Sequence, residues 1–364
     1  MILDKIKKSV TIFNGPSWER WSFKSVDNEG CGGSETHAVQ LAREFQKLGY
    51  KVQVFADIPE DEMNDNGIKW IHFLKFEEWS KYNFTDYFIS ERTTDPFKVN
   101  VRCSKAFVQI HDIWMLSPRE QLFLDKVNKF CALSNWHMNF AAQHHSIPKE
   151  KMALTANGID LSRFQDKNIE RNPYRMIYSS SLDRGLDTLI YLFDFIKAEV
   201  PQLELHIYYG LDIWEKTAQA RPEERQKIEY MKNLMKKKDV FFHGRVGQKQ
   251  LAEEMLKSSL WAYPTDFEET FAITAIETQA AGLPVICSNY AGLQTTVNNS
   301  GIMIGNGTKG QSYTRDYRIE FVTKCIEVLK NKENWKLMST LSLQNAQKFS
   351  WTNAALTWQK LFNE

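Results

Sequence analysis

The sequence predicts an α/β protein with two successive parallel-sheet domains, and three observations carry the prediction. Short β-branched or aromatic runs alternate with longer helical patterns along the 364 residues, which is the rhythm of βαβ units. The rhythm halts at the polar stretch Gln165–Pro173 and begins again near Arg175. The length suits two ordinary domains, and a hydrophobic content of 43% is enough to fill two cores.

The first series opens with a buried strand over Ser9–Phe13. A glycine-rich turn, Gly30–Ser34, then leads into a helix carrying Ala38, Leu41, Ala42, Phe45 and Leu48. Their 3–4 spacing gives that helix one buried face. Gly49 stops it, and Lys51–Ala56 reads as the next strand. Tyr87–Ser90, Ala106–Ile110, Phe130–Leu133 and Met152–Thr155 supply further strands. The second series starts with a strand over Arg175–Ser179 and a helix over Gly185–Ala198, whose apolar face is Leu186, Leu189, Ile190, Phe193 and Ile196. Strands over Leu203–Tyr208, Val240–Phe242, Leu260–Tyr263 and Val285–Cys287 follow. The boundary is placed near residue 170, giving domains over 1–168 and 169–350. A last helix, Trp351–Phe362, has an aromatic face that must pack somewhere.

Composition excludes several function classes. Lys+Arg total 46 against 45 Asp+Glu, a net charge of +1, so there is no global basic footprint for nucleic acid, which leaves a local basic patch open. Five scattered cysteines, none in a C-x-x-C pair, indicate neither a zinc site nor a disulfide framework and fit a reducing compartment. The opening residues Met1–Ser9 lack the apolar core of a signal peptide, and no run reaches 18 apolar residues. We expect a soluble cytoplasmic protein that could sit peripherally on a membrane. Four lysines over Lys232–Lys238 read as a solvated helix face, or as a patch for anionic lipid.

The densest chemical signal is Pro264–Val285, which follows the strand Leu260–Tyr263. An acidic loop leads to a helix expected to begin near Thr270, whose unpaired N–H groups and partial positive charge favour a phosphate. If both lie on that helix, Glu269 and Glu277 are roughly 80° apart around its axis and about 12 Å along it. Two such glutamates alone would most simply be a solvated helix face. The neighbourhood sharpens them: Pro264 before, Ala280-Ala281-Gly282 after, then Pro284 opening a strand.

This stretch resembles the glutamate-x7-glutamate signature of glycosyltransferase family 4, a retaining family of the GT-B fold, in which two Rossmann-like domains face an interdomain cleft. Other segments are similar to that family in the expected order: Gly32–Glu35, Asn157–Asp160, the phosphate-loop stretch Ser179–Asp187, the nucleobase-side stretch Phe242–Val246, and Phe349–Trp351 at the start of a helix that crosses back to the first domain (351–364). The resemblance implies a hexosyl transfer from a UDP- or GDP-sugar to an acceptor hydroxyl on a glycan, lipid-linked or protein-linked sugar. No metal or other cofactor is expected. Backbone N–H groups at Gly33, Thr270 and Phe271 would contact phosphate or donor sugar, with Ser180 beside them. Arg184 would neutralise the diphosphate, Glu269 would bind the transferred sugar and Glu277 the ribose. Gly244, Arg245 and Val246 would line the base pocket, and His111 would sit at the donor sugar or reacting centre.

One departure stands out. The family usually carries an arginine about five residues before the basic residue of its phosphate loop, and this chain has Ser179-Ser180-Ser181 there. Arg245 or another cation must compensate, or the leaving group is less well stabilised. Weaker signals complete the reading. His111-Asp112 follows a strand, where α/β sheets bind ligands. His144-His145 reads as solvent-facing rather than metal-binding. Asp57 lacks a G-x-G-x-x-G partner, so a dinucleotide site is disfavoured. Trp18, Trp21 and Phe23 would either stack on an acceptor sugar or pack within their own loop. A nucleotide-sugar epimerase and a non-catalytic nucleotide- or carbohydrate-binding protein of the same architecture are the competing functions.

Overall fold

The computed structural model describes residues 7–28, 30–114, 123–166, 168–211, 214, 215, 218 and 221–364. The opening Met1–Ile6, part of the segment read above as lacking a signal sequence, lies outside them. Contacts divide the chain into Met1–Gly158 with Phe349–Glu364, and Ile159–Lys348.

The first unit holds an eight-stranded sheet in the order β3-β4-β2-β1-β5-β6-β7-β8. The strands are β1 (Ser9–Gly15), β2 (Lys51–Ala56), β3 (Glu62–Asp65), β4 (Ile68–His72), β5 (Thr85–Glu91), β6 (Cys103–Gln109), β7 (Lys129–Ala132) and β8 (Met152–Leu154). β3 runs antiparallel to β4; the other pairings are parallel. The β3–β4 hairpin was not expected, yet its signal is local. Asn66 and Gly67 both take positive φ, 50° and 99°, as a two-residue Asn-Gly hairpin turn requires.

Strand order reverses between β1 and β5, because β2 lies on one side of β1 and β5 on the other. Such a switch point opens a crevice beyond the strands' carboxyl ends, here Asn14–Gly15 and Glu91–Arg92. The helix Gly33–Lys47 covers the sheet with its apolar face, as its spacing predicts, and buries His37 among Ala38, Leu41 and Phe45. The terminal helix Trp351–Asn363 packs into the same core through Trp351, Trp358 and Phe362. Phe362 stacks on Tyr87 with centroids 4.1 Å apart, and each such side chain contributes about 1.5–3 kcal/mol of burial. Gly158 lies so close that a Cβ there would collide with the backbone of Ser350 and Trp351.

The second unit is a six-stranded parallel sheet, ordered β11-β10-β9-β12-β13-β14. Its strands are β9 (Arg175–Tyr178), β10 (Glu204–Ile207), β11 (Val240–Phe242), β12 (Leu260–Tyr263), β13 (Val285–Ser288) and β14 (Ile302–Ile304). The switch point here falls between β9 and β12. Their carboxyl ends are the serine run Ser179–Ser181 and the acidic loop after Pro264, so the topology brings these two sequence signals together. The helix Leu186–Glu199 packs on the sheet with Leu186, Leu189, Ile190, Phe193 and Ile196 buried.

The contacts change units after Gly158, not near residue 170. Residues on either side of position 170 are tied to the second unit. Arg163 is bonded to Glu277 at 2.8 Å, and Arg171 donates to the carbonyls of Ser258 and Ala281. Among the described residues, no helix is long and apolar enough to cross a membrane.

Candidate active site

At the second unit's switch point, Glu269 is buried and faces a permanent cation. Arg184 Nη1 donates to both its carboxylate oxygens, at 3.0 and 2.9 Å. Tyr263, the last residue of β12, donates its hydroxyl to Glu269 Oε1 at 2.6 Å, and Ser180 Oγ lies 3.0 Å from that hydroxyl. The Arg184 guanidinium stacks over the Phe267 ring at 4.0 Å, a favourable cation–π geometry. Burial works against the guanidinium charge, but Glu269 and Tyr263 outweigh it and raise the pKa above the usual arginine value. Burial and the adjoining Glu269 carboxylate also push the Tyr263 hydroxyl well up, so it stays a donor. Two polar atoms in this network are buried without a protein partner among the described residues, Ser179 Oγ and Arg184 Nε.

Local backbone explains how these groups converge. Gly185 takes φ 91° and sits against the backbone of Pro264 and Thr265, where a Cβ would have no room. The phosphate-loop stretch therefore touches the acidic loop directly. The helix expected from Thr270 begins at Ile273, behind Ala272 in the left-handed region at φ 61°. Glu269–Ala272 is therefore not helical, and the angular estimate from spacing does not apply. Gly292 shapes this turn. Its N–H donates to Glu269 O at 2.7 Å, and a Cβ on it would lie 2.5 Å from that oxygen.

The remaining residues expected on the donor side are placed as follows. Glu277 is on the helix Ile273–Ala280 and buried, with Oε1 held by Arg163 at 2.8 Å. Thr270 is half-buried and Phe271 buried. Gly244 takes φ 72° with open space where a Cβ would point, and the Arg245 stem packs against Gly210. Arg245 itself is exposed, and Val246 packs against the core. In the first unit, Gly33 starts its helix with its backbone exposed.

The first unit's switch point carries a second buried carboxylate. Glu91 ends β5, with Oε1 2.9 Å from His37 Nδ1 and Oε2 in a close bond to His111 Nε2. Burial alone would raise the Glu91 carboxyl, but the two imidazoles draw it down to about 2. Burial lowers the pKa of His37. Arg92 follows at φ 68°, an uncommon conformation for a non-glycine residue. Its guanidinium donates to Asn14 O at 2.9 Å and Pro16 O at 3.1 Å and pairs with Glu35 at 3.3 Å. Among the described residues, His37, Glu91 and His111 are the one group with residue types and spacing to hold a metal ion.

The weaker signals separate. Trp21 is buried, edge-on to Trp70 at 5.7 Å with its indole N–H donated to Ser17, and Phe23 packs on the same Trp70. Trp18 is 88% exposed. Asp112 is exposed beside His111. Asp57 meets the Ser17 N–H, Arg20 and His72 within its own unit. His144 stacks on Phe140 and His145 bonds Ile113 O, so the two do not converge. In the lysine run, Lys232 pairs with Glu215 and Glu229, and Lys237 with Asp194, as on a solvated face. Sequence reasoning missed Tyr263, Arg163, His37 and Glu91. Glu91 did have a signal, as a carboxylate directly after an expected strand.

Residues 161–339 match the family Glycosyl transferases group 1. D-inositol 3-phosphate glycosyltransferase of Streptomyces coelicolor is 31% identical over 141 residues, 38% of this chain and 28% of the relative. The Streptomyces griseus protein of the same name is 30% identical over 139 residues, 37% and 27%. The chain thus matches under a third of the length of these two relatives. Among solved structures, sucrose-phosphate synthase from Thermosynechococcus elongatus aligns with a TM-score of 0.74 at 15% identity, covering 98% of both chains. Anabaena HepE, solved with UDP and glucose, aligns with a TM-score of 0.69 at 14% identity, covering 98% of this chain and 99% of that one. These structural likenesses show the fold, two parallel-sheet α/β units of the GT-B class. Residues 161–339, just under half of the chain, are thus similar to the family Glycosyl transferases group 1.

Proposed function

We propose that the protein is a retaining glycosyltransferase that moves a hexose from a UDP- or GDP-sugar to an acceptor hydroxyl without a metal ion. The observation that carries this reading is the Arg184–Glu269 pair at the second unit's switch point, in which Nη1 bridges both carboxylate oxygens. A guanidinium suited to a diphosphate and a carboxylate suited to sugar hydroxyls stand side by side there. Heterolysis of the bond between the anomeric carbon and phosphate puts negative charge on the leaving diphosphate and positive charge on the sugar ring. Arg184, the helix N-terminus at Ile273 and nearby backbone N–H groups stabilise the first; Glu269 faces the second. The acceptor hydroxyl attacks the anomeric carbon from the face the diphosphate leaves and gives its proton to the departing phosphate oxygen. Both partners of the ion pair can re-pair with donor, so the unliganded bond keeps a buried charge from standing alone.

The serine run fits this reading without an additional arginine. Ser179 Oγ and Arg184 Nε are unspent polar atoms beside the same loop. Glu277 remains the ribose ligand, oriented by Arg163. Supporting context comes from the group 1 match, and from HepE, whose structures contain UDP with glucose and UDP-glucose. The test is release of UDP or GDP from a panel of nucleotide sugars, with and without sugar acceptors. Wild-type protein should turn over at least one donor, and Glu269→Gln should lower kcat about 10²–10³-fold with unchanged circular dichroism. Full turnover by Glu269→Gln removes its role. An epimerised nucleotide sugar formed without acceptor replaces the transferase reading by the epimerase one.

A further inference from the structure

We propose that Glu91 and His37 form a buried clamp that fixes the orientation and tautomer of His111, which makes Glu91 a positioning residue for the transfer reaction. The proposal rests on the reading of His111 as a group at the reacting centre.

The clamp follows from donor and acceptor counting. A carboxylate only accepts hydrogen bonds, and each Glu91 oxygen faces one ring nitrogen, Oε1 facing His37 Nδ1 and Oε2 facing His111 Nε2. Both imidazoles must therefore point N–H at Glu91, so the His111 proton is held on Nε2. His37 cannot swing away. Its ring lies edge-on to His111 at 4.8 Å and to Trp351 at 5.9 Å, and its Nε2 is buried without a partner among the described residues. The three residues form a path outward, because His37 and Glu91 are 0% exposed and His111 is 7% exposed.

A role in folding alone accounts poorly for this arrangement. Burying a carboxylate costs several kcal/mol, and apolar side chains of similar volume generally do as well or better. The chain also holds Arg92 in the left-handed region directly after Glu91, and such strain gathers at functional positions. The cluster stands at the carboxyl end of β5 beside β1, where order reverses and α/β sheets present ligand-facing groups.

The experiment uses the whole chain with ¹⁵N-labelled histidine. Wild-type spectra should show His111 protonated on Nε2 and His37 on Nδ1, both protected from exchange. An unprotonated His111 Nε2 in the wild type overturns the clamp, whether or not any variant folds. Glu91→Gln keeps the volume but offers one acceptor oxygen and one donor NH₂, so at most one ring can still donate. The His111 pattern should change, and kcat for nucleotide release from the donor that the wild type turns over should fall about 10²-fold with KM within about twofold. Glu91→Asp, which retains two acceptor oxygens, should recover part of the rate. An unaltered His111 pattern in Glu91→Gln overturns the clamp. A changed pattern with undiminished kcat instead overturns the part given to His111 in the reaction. Activity lost on chelation and restored by Zn²⁺ overturns the hydrogen-bonded arrangement in favour of a metal site.

Discussion

Glu91 and Glu269 are both buried carboxylates at the switch point of a parallel sheet, but their partners differ in kind. Glu91 is flanked by two imidazoles, which can each hold or lose a proton. Glu269 is paired with a guanidinium, which is charged at any working pH, and with the Tyr263 hydroxyl. The contrast teaches what each partner is suited for. A permanent cation keeps its charge when a diphosphate takes the carboxylate's place, so the second unit's pair can open toward ligand. An imidazole pair held by an ion sets ring orientation and tautomer, so the first unit's cluster works by staying closed.

The contrast is tested most strongly by acid. In the first unit His137 is buried, with its Nδ1 accepting from the Leu133 N–H at 3.3 Å, and burial lowers its pKa to about 4. His37 is lowered in the same direction. Above pH 6.5 neither state binds these protons. As pH falls toward 4 the unfolded chain takes them first, so stability drains across that window. His137 alone should remove on the order of 3 kcal/mol by pH 4, with the Glu91 contribution following as pH falls from its ordinary range toward 2. Unfolding midpoints between pH 7.5 and 4.5 measure this, and His137→Asn, which keeps an acceptor for Leu133, should flatten the slope. A slope unchanged by that substitution would show that His137 is not the group that burial holds neutral.

Backbone crowding gives the next largest effect. Gly292→Ala places a Cβ against the backbone of Glu269 and Thr270, which cannot yield cheaply, and should cost roughly 1–3 kcal/mol together with nucleotide affinity. Gly32→Ala in the first unit meets only the end of the Glu35 side chain and should cost less. Equal losses in a thermal melt would mean that the Glu269 turn is not specially constrained. Smallest of all, Ser180→Ala removes the contact to Tyr263 and should change stability by about 0.5–1.5 kcal/mol. Tyr263 still bonds Glu269, so the ion pair should survive, and a thermal melt reads the small loss.

Legibility followed the range of the interaction. Periodicity placed the helices Gly33–Lys47 and Leu186–Glu199, whose buried side chains recur every three or four residues, and short β-branched or aromatic runs placed most strands. The hairpin at Asn66-Gly67 was equally local and was missed although its turn signal was present. The start at Ile273 was not readable, since Ala272 is driven to positive φ where Gly292 packs on the preceding backbone. The pairing of Arg163 with Glu277 crosses 114 residues and that of His37 with Glu91 crosses 54. No local pattern connects such residues; only the strand order does. Arg184 and Glu269 were both read from motifs, but their bond to one another came only with the topology.

The central claim, that Arg184 exchanges its carboxylate partner for a nucleoside diphosphate, is tested most directly by calorimetric titration of UDP and of GDP into the wild-type chain and into Arg184→Ala. The account predicts saturable binding of at least one nucleotide by the wild type, weakened about tenfold or more in the variant. Equal affinity in the two proteins would contradict it.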